Sequence, residues 1–551
     1  MPNLISPRDR SRQQLQLEIS DLSGGFVALA ATYGLDERFV EDLQNMELVQ
    51  GMWQKRKGYH LSGSFAGVQA EPNTARGLHA FYKQGSLHIL GVYGSELYST
   101  YQMTSDGEGR LLVSNFQGFS SVRFADFRDN CYIANGRESL YRYDGNAATR
   151  IRSPVGSILA AYDNRLLLAG IRGDRLTVYF SEDGDPENWP ATNYFSIDGA
   201  SNEEITALYE LQGKLYIFTN KAIYSLIGTL DNFAVSKEVE GVGAVSAEAV
   251  QLFGNRFYFI SEEGDLYEFD GSSFPVQISK YIQRFIRSEL TYSHWKKAVT
   301  THYQDSVWFT FDNTTVPEKR LTLVYYPEYQ AWTKFVGIPA AYYVYVDGGL
   351  YFTGVHNTGS LYQYGSQYND DTRHIEALIK TTKWSFGALE NIKRFKTLFV
   401  RGATQGGGGN GFDIEFYVDD VRTASVRVTT DIASETEIWG QNNWGEMYWG
   451  YASETAGTAW GKARWNEFEW AGSEIKYAPR WGSAVWNYFN WGDHREGDLM
   501  EDVGRIYRKL YLSQYNIISG KMLQLVLRDS SPNHGFRFEY LRLEYVQKGA
   551  R

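Results

Sequence analysis

Leu215-Tyr216-Ile217-Phe218 and Ile223-Tyr224-Ser225-Leu226 are two short apolar runs led by the turn Gly213-Lys214. Phe257-Tyr258-Phe259-Ile260 and Leu266-Tyr267-Glu268-Phe269 repeat the arrangement, led by Gly254-Asn255 and closed by Asp270-Gly271. Four-to-five-residue apolar or alternating runs bounded by Gly, Asn and Asp read as paired strands. Working outward, equivalent turns occur at Gly85-Ser86, Asp129-Asn130, Asp163-Asn164, Asp305-Ser306 and Gly348-Gly349. The steps between successive turns are 44, 34, 50, 41, 51 and 43 residues, close to the length of one four-stranded propeller blade. Such a unit cannot bury its own apolar face and must stack on its neighbours. The repeat therefore predicts a six- or seven-bladed β-propeller over residues 76–366, preceded by an arm and first strands over 1–75. The short step of 34 leaves the count open. Ile278, Tyr281, Ile282, Phe285 and Ile286 follow the spacing of an amphipathic helix between blades. Two β-sandwiches in series are the competing architecture.

Composition agrees with an all-β chain. The 551 residues include 40 Tyr, 31 Phe, 15 Trp and 54 Gly but only 12 Pro, and aromatics favour strands while Gly supplies turns. The length asks for more than one domain. With 54 basic and 65 acidic residues the formal charge is −11, which argues against a surface that grips nucleic-acid phosphates over most of its area. No apolar run approaches the roughly 18 residues of a membrane span, and neither a signal peptide nor an anchor is readable at the amino terminus. The single cysteine, Cys131, lies in the apolar run Cys131-Tyr132-Ile133-Ala134 and reads as a small buried thiol.

Beyond residue 366 the texture changes. Strand-like segments at 374–384, 395–401, 412–418 and 424–429 are followed, after an interruption, by others at 506–512, 521–527 and 536–546. They predict a β-sandwich-like domain made of 367–435 and 501–551. The Gly-rich run 406–411 has no Lys-Ser/Thr and no helix after it, so it reads as a hairpin tip and not a phosphate loop. The interruption, 436–500, carries nine tryptophans: Trp439, Trp444, Trp449, Trp460, Trp465, Trp470, Trp481, Trp486 and Trp491. Their spacings, 5, 5, 11, 5, 5, 11, 5 and 5, make three repeats of 21 residues. A five-residue step fits neither a helix nor a flat strand, and Gly after six of these tryptophans permits bulged or positive-φ turns. The rings either stack on one another or form a platform for a sugar or base. Self-stacking is the favoured reading, because free arrays of Trp promote aggregation.

Local motifs for chemistry are wanting. The nine histidines, at 60, 79, 88, 294, 302, 356, 374, 494 and 534, show no close metal-ligand spacing. No Gly-x-Ser-x-Gly elbow precedes a helix. The acidic run Ser181–Trp189 lacks the ligand order of a calcium loop and reads as a solvated turn. No catalytic, cofactor-binding or metal-binding residue is assigned from the sequence, and the expectation is a non-enzyme without a cofactor. Paired carboxylates from distant blades leave no local signature.

Several segments resemble propeller-bearing tail proteins of tailed bacteriophages. They are Asp21-Leu22-Ser23-Gly24-Gly25-Phe26, Asn45-Met46-Glu47, and Gly51-Met52-Trp53-Gln54-Lys55-Arg56-Lys57-Gly58-Tyr59. The resemblance continues through Tyr179-Phe180-Ser181, Asp185-Pro186-Glu187-Asn188-Trp189 and Glu204-Ile205-Thr206-Ala207-Leu208. It ends with Ser225-Leu226-Ile227-Gly228 and Gly241-Val242-Gly243-Ala244-Val245-Ser246, spanning roughly 20–365. The family is similar to the tail nozzle proteins of short-tailed phages, with relatives among minor tail and DNA-stabilisation proteins. It implies a virion component assembled in the host cytoplasm, a cyclic homo-oligomer, often a hexamer, joined to a tail adaptor. Its channel would retain and then release genomic DNA without sequence-specific binding. The region 439–491 departs from the family pattern, which leaves the exact tail position open. A tail-tip protein that binds host-surface glycans through the tryptophans is the alternative, and a polysaccharide-degrading enzyme a third.

Overall fold

In the computed structural model, residues 14–547 are described apart from 30–34, 66–74, 102–108, 117–120, 314–315, 317–318, 356–358, 366, 388, 407–410, 430–501 and 532–533. The tip of the Gly-rich hairpin and the whole Trp repeat thus lie outside the described residues. The chain divides into two compact units. The larger holds Ser23–Gly51 and Arg56–Thr382; the smaller holds residues before Ser23, Met52–Lys55 and those from Lys383 onward.

The larger unit is a β-propeller. Five successive sheets, beginning at Ala75, Arg123, Ile158, Ile205 and Val250, each contain four antiparallel strands in chain order. A sixth runs from Val299 to Val336 in the same order. The seventh has three consecutive strands between Ala340 and Tyr364, and its fourth is Tyr59–Ser64, from the stretch read as an N-terminal arm and first strands. Tyr59 faces Tyr364 and Ser64 faces Ser360 in this antiparallel pair. The first strand of the seventh blade packs against the first strands of both the sixth and the first, which closes the ring. Two sandwiches in series are thereby excluded for this unit.

Each of the seven turns noted in the sequence joins the first two strands of one blade. In six of them both turn residues have positive φ, as at Gln84-Gly85, Asp163-Asn164 and Gly254-Asn255. This is what a two-residue hairpin matching strand twist requires, and it explains the Gly, Asn and Asp there. The step of 34 is a complete blade whose outer strands, Tyr141–Tyr143 and Ala148–Arg150, are only three residues long. The long step of 51 carries two short helices, Gln283–Glu289 and Tyr292–Lys296. The spacing predicts a helix from Ile278, but the Ile278 N–H bonds to the Leu266 carbonyl at the sheet edge, and the helix begins later. Ile282 and Ile286 are buried as the spacing demands, whereas Tyr281 is exposed.

Apolar clusters fill the seams between blades. Phe81, Leu90, Val92, Cys131 and Ile133 join the first blade to the second. Leu78, Tyr93 and Tyr98 meet Leu361 where the ring closes. At the outer edge of the sixth blade Gln44 pairs with Lys334, so part of that edge is not open.

The smaller unit is a pair of antiparallel sheets. In one, His534–Gln547 pairs with Gln14–Ile19 and, along almost its full length, with Lys393–Gly406, which pairs in turn with Asp502–Tyr511. In the other, Phe412–Val418 lies between Leu523–Asp529 and Val421–Val428. The rings of Phe412 and Phe536, one from each sheet, stand 4.8 Å apart, as in a sandwich core.

Candidate functional site

Two of the segments that carry the tail-protein resemblance, at 45–47 and 51–59, supply buried structural residues, among them Asn45, Lys55, Arg56 and Tyr59, whereas Asp185, Glu187 and Asn188 of another are exposed. Arg56 is fully buried, and its five N–H donors are all used. Nε donates to Asn45 Oδ1 (2.9 Å), Nη1 to Asp370 Oδ1 (2.8 Å) and the Lys57 carbonyl (3.0 Å), and Nη2 to Asp370 Oδ2 (2.6 Å) and the Val336 carbonyl (3.1 Å). Burial works against the charged guanidinium, but the Asp370 carboxylate outweighs it and raises the pKa of Arg56. Asn45 sits at φ 53°, and its Oδ1 also accepts from the Val336 N–H at 2.8 Å. Gly58 is obligatory, since a Cβ there would lie 1.9 Å from the Asn369 carbonyl oxygen. Gly25, at φ +71°, is pressed against the Trp332 backbone. In the smaller unit Lys55 is likewise fully buried, donating to Asp529 Oδ2 (3.1 Å), Ser531 O (2.8 Å) and His534 O (3.1 Å).

A cavity of about 450 Å³ opens in the propeller where residues from its first, fifth, sixth and seventh blades converge. Arg76, Lys296, Lys297 and Arg320 line it together with Glu248 and Asp312. Arg320 is 5% exposed, and burial pulls its pKa down despite Asp312 at 3.5 Å. Beside the cavity, Arg123 Nε lies 3.5 Å from Glu248, while Arg123 Nη2 is buried without a hydrogen-bond partner. Excess cation and fork-shaped donors suit an anionic group.

A second cluster joins the first two blades. His79 Nε2 lies 2.9 Å from Asp126 Oδ1, and its ring stacks on Phe124 at 5.1 Å. Cys131, opposite Asp126 in the hairpin register, completes a trio whose ligand atoms all lie within 4.8 Å of one another. Burial is the main reason the thiol pKa is raised well above its ordinary value. Sequence reading took Cys131 as buried, which it is, but missed the trio. His79 and Cys131 come from different blades, so no local spacing announces them.

The nine candidate tryptophans, from Trp439 to Trp491, all lie outside the described residues. In the acidic run, Asp183 accepts from Asn164 at 2.7 Å, Glu187 pairs with Arg142, and Trp189 Nε1 donates to the Pro186 carbonyl at 2.9 Å. These carboxylates serve the turn itself and its neighbours.

No family model matches the chain, and no curated protein matches it. Among solved structures it is similar to BamB from Moraxella catarrhalis, at 9% identity and TM-score 0.38, over 64% of this chain and 97% of that one. It is also similar to YCF48 bound to D1 peptide, at 11% identity and TM-score 0.37, over 58% and 98%. YCF48 from Cyanidioschyzon merolae has 11% identity and TM-score 0.36, over 54% and 97%.

Proposed function

We propose that the chain is a structural subunit of a bacteriophage tail, a nozzle or tube component that assembles into a homo-oligomeric ring, with six copies as the expected number. Its partners are its own copies, a tail adaptor and other tail proteins, its place is the virion, and genomic DNA passes through the ring without sequence-specific binding. The observation that carries this reading is where the resemblance segments at 45–47 and 51–59 fall. Asn45, Arg56, Gly58 and Tyr59 are fully engaged in holding the propeller together, as befits a building block whose signature is its architecture. The net charge of −11 suits a wall past which DNA slides without sticking.

Size-exclusion chromatography with light scattering, on the full chain alone and with its adaptor, tests the proposal. A closed ring in either sample supports it. A monomer in both, together with glycan-array binding that disappears when Trp444, Trp465 and Trp486 become alanine, would replace it with the receptor-binding alternative. Turnover of a polysaccharide by the pure protein would remove both.

A further inference from the structure

We propose that His79, Asp126 and Cys131 form a binding site for a zinc-class divalent ion between the first and second blades of the propeller. The three ligand atoms lie within 4.8 Å of one another, a separation that one ion at about 2.0–2.3 Å from each can bridge with small side-chain adjustments. Asp126 and Cys131 are opposed residues of one hairpin, Arg123–Phe127 with Asn130–Ala134. Its two-residue turn, Arg128-Asp129, has φ 45° and 59°, so the pair is held on a rigid element. His79 comes from the neighbouring strand Ala75–Lys83, and its ring is fixed by stacking on Phe124. Ligands on regular strands whose orientation is set by packing make a pre-organised site.

The chemistry selects the ion. One imidazole nitrogen, one thiolate and one carboxylate suit zinc and its neighbours, whereas calcium and magnesium prefer oxygen alone. Binding forms a metal–sulfur bond at Cys131 Sγ and releases the thiol proton to solvent. Thiolate and carboxylate then oppose the two positive charges of the ion, leaving a locally neutral site, which a half-buried position favours. The Cys131 side chain is buried, while Asp126 is 45% exposed and His79 26%, so the ion enters from the solvent side. A fourth position faces that side. Such an ion clips the first two blades together.

The test uses untagged full-length protein stripped with a chelator. Titration with cobalt(II), as a spectroscopic stand-in for zinc, should give one equivalent of binding with a thiolate-to-metal charge-transfer band. Zinc should displace it, and magnesium or calcium should not. Cys131→Ser should abolish the band, and His79→Gln and Asp126→Asn should each weaken binding at least tenfold. Zinc should raise the melting temperature of the native protein but not of His79→Gln. Absence of stoichiometric cobalt or zinc binding by the folded protein would overturn the proposal. So would a charge-transfer band unchanged in Cys131→Ser. Should Cys131→Ser not fold, unaltered metal affinity in both His79→Gln and Asp126→Asn would overturn it equally.

Discussion

Replacing Asp370 with alanine strands the Arg56 guanidinium in the interior of the propeller. The change deletes two charge-assisted hydrogen bonds, at 2.8 and 2.6 Å, each worth about 1.5–3 kcal/mol. Because Arg56 has no exposed surface, its guanidinium cannot turn to bulk solvent to replace the lost carboxylate. The expected loss is therefore about 3–5 kcal/mol, the range for breaking a buried pair from one side. Arg56→Met combined with Asp370→Leu removes both charges and should cost less than the two single changes added together, with a coupling of about 2 kcal/mol or more. Urea unfolding followed by near-ultraviolet circular dichroism measures Asp370→Ala, the two single changes and the double variant, and the linear dependence on denaturant yields the differences. The effect should fall on the propeller, since Arg56 ties together Asn45, Val336 and Asp370 from three distant parts of the sequence. A loss under about 1 kcal/mol for Asp370→Ala, or strictly additive single changes, would refute the argument that this pair is a desolvated keystone.

Gly58→Ala should destabilise by about 2–3 kcal/mol or more, because its Cβ meets the Asn369 carbonyl oxygen at 1.9 Å; chemical denaturation reads it directly. Glu203 is buried and accepts from Thr219 Oγ1 (2.7 Å), Tyr224 O–H (3.1 Å) and the Ala200 N–H (2.9 Å), bonds that outweigh burial and lower its pKa below 4.5. A depressed carboxyl contributes stability that is present above its unfolded value and lost as pH falls through the folded one. The gap between wild type and Glu203→Gln should accordingly be full at neutral pH and shrink on acidification below 4.5, as followed by melting temperature against pH. In metal-free native protein, Cys131 should alkylate far more slowly than in denaturant, given a buried thiol held protonated; equal rates would contradict the seam packing.

The propeller was legible because its punctuation is local. A two-residue hairpin needs positive φ, so Gln212-Gly213 or Gly254-Asn255 had to carry Gly or Asn whatever surrounded them. What was not legible depends on residues that meet only in space. Nothing in Tyr59–Ser64 says that it will pair with Ser360–Tyr364, and a six-residue strand looks the same whichever blade it completes. The helix expected from Ile278 starts later because periodicity cannot see a sheet edge competing for the same backbone. The site candidates divide in the same way. The resemblance segments were visible as words, but their meaning as a buried hub around Arg56 came from partners such as Asp370, more than three hundred residues away. His79, Asp126 and Cys131 gave no spacing signal, since adjacent blades and not adjacent positions bring them together.

Ring closure by Tyr59–Ser64 also sets a schedule for the nascent chain. The strand emerges early, yet its partner Ser360–Tyr364 is about three hundred residues downstream. At roughly 5–20 residues per second, the ribosome takes about 15–60 seconds to deliver that partner. For this interval the early strand has an open edge, and the first blade lacks the neighbour that covers Leu78 and Tyr93 in the finished seam. Where many copies are synthesised close together, a strand from one chain and a seventh blade from another can meet before either ring closes. Crowded synthesis should therefore favour exchanged pairs, while dilute synthesis should favour rings closed by their own strand.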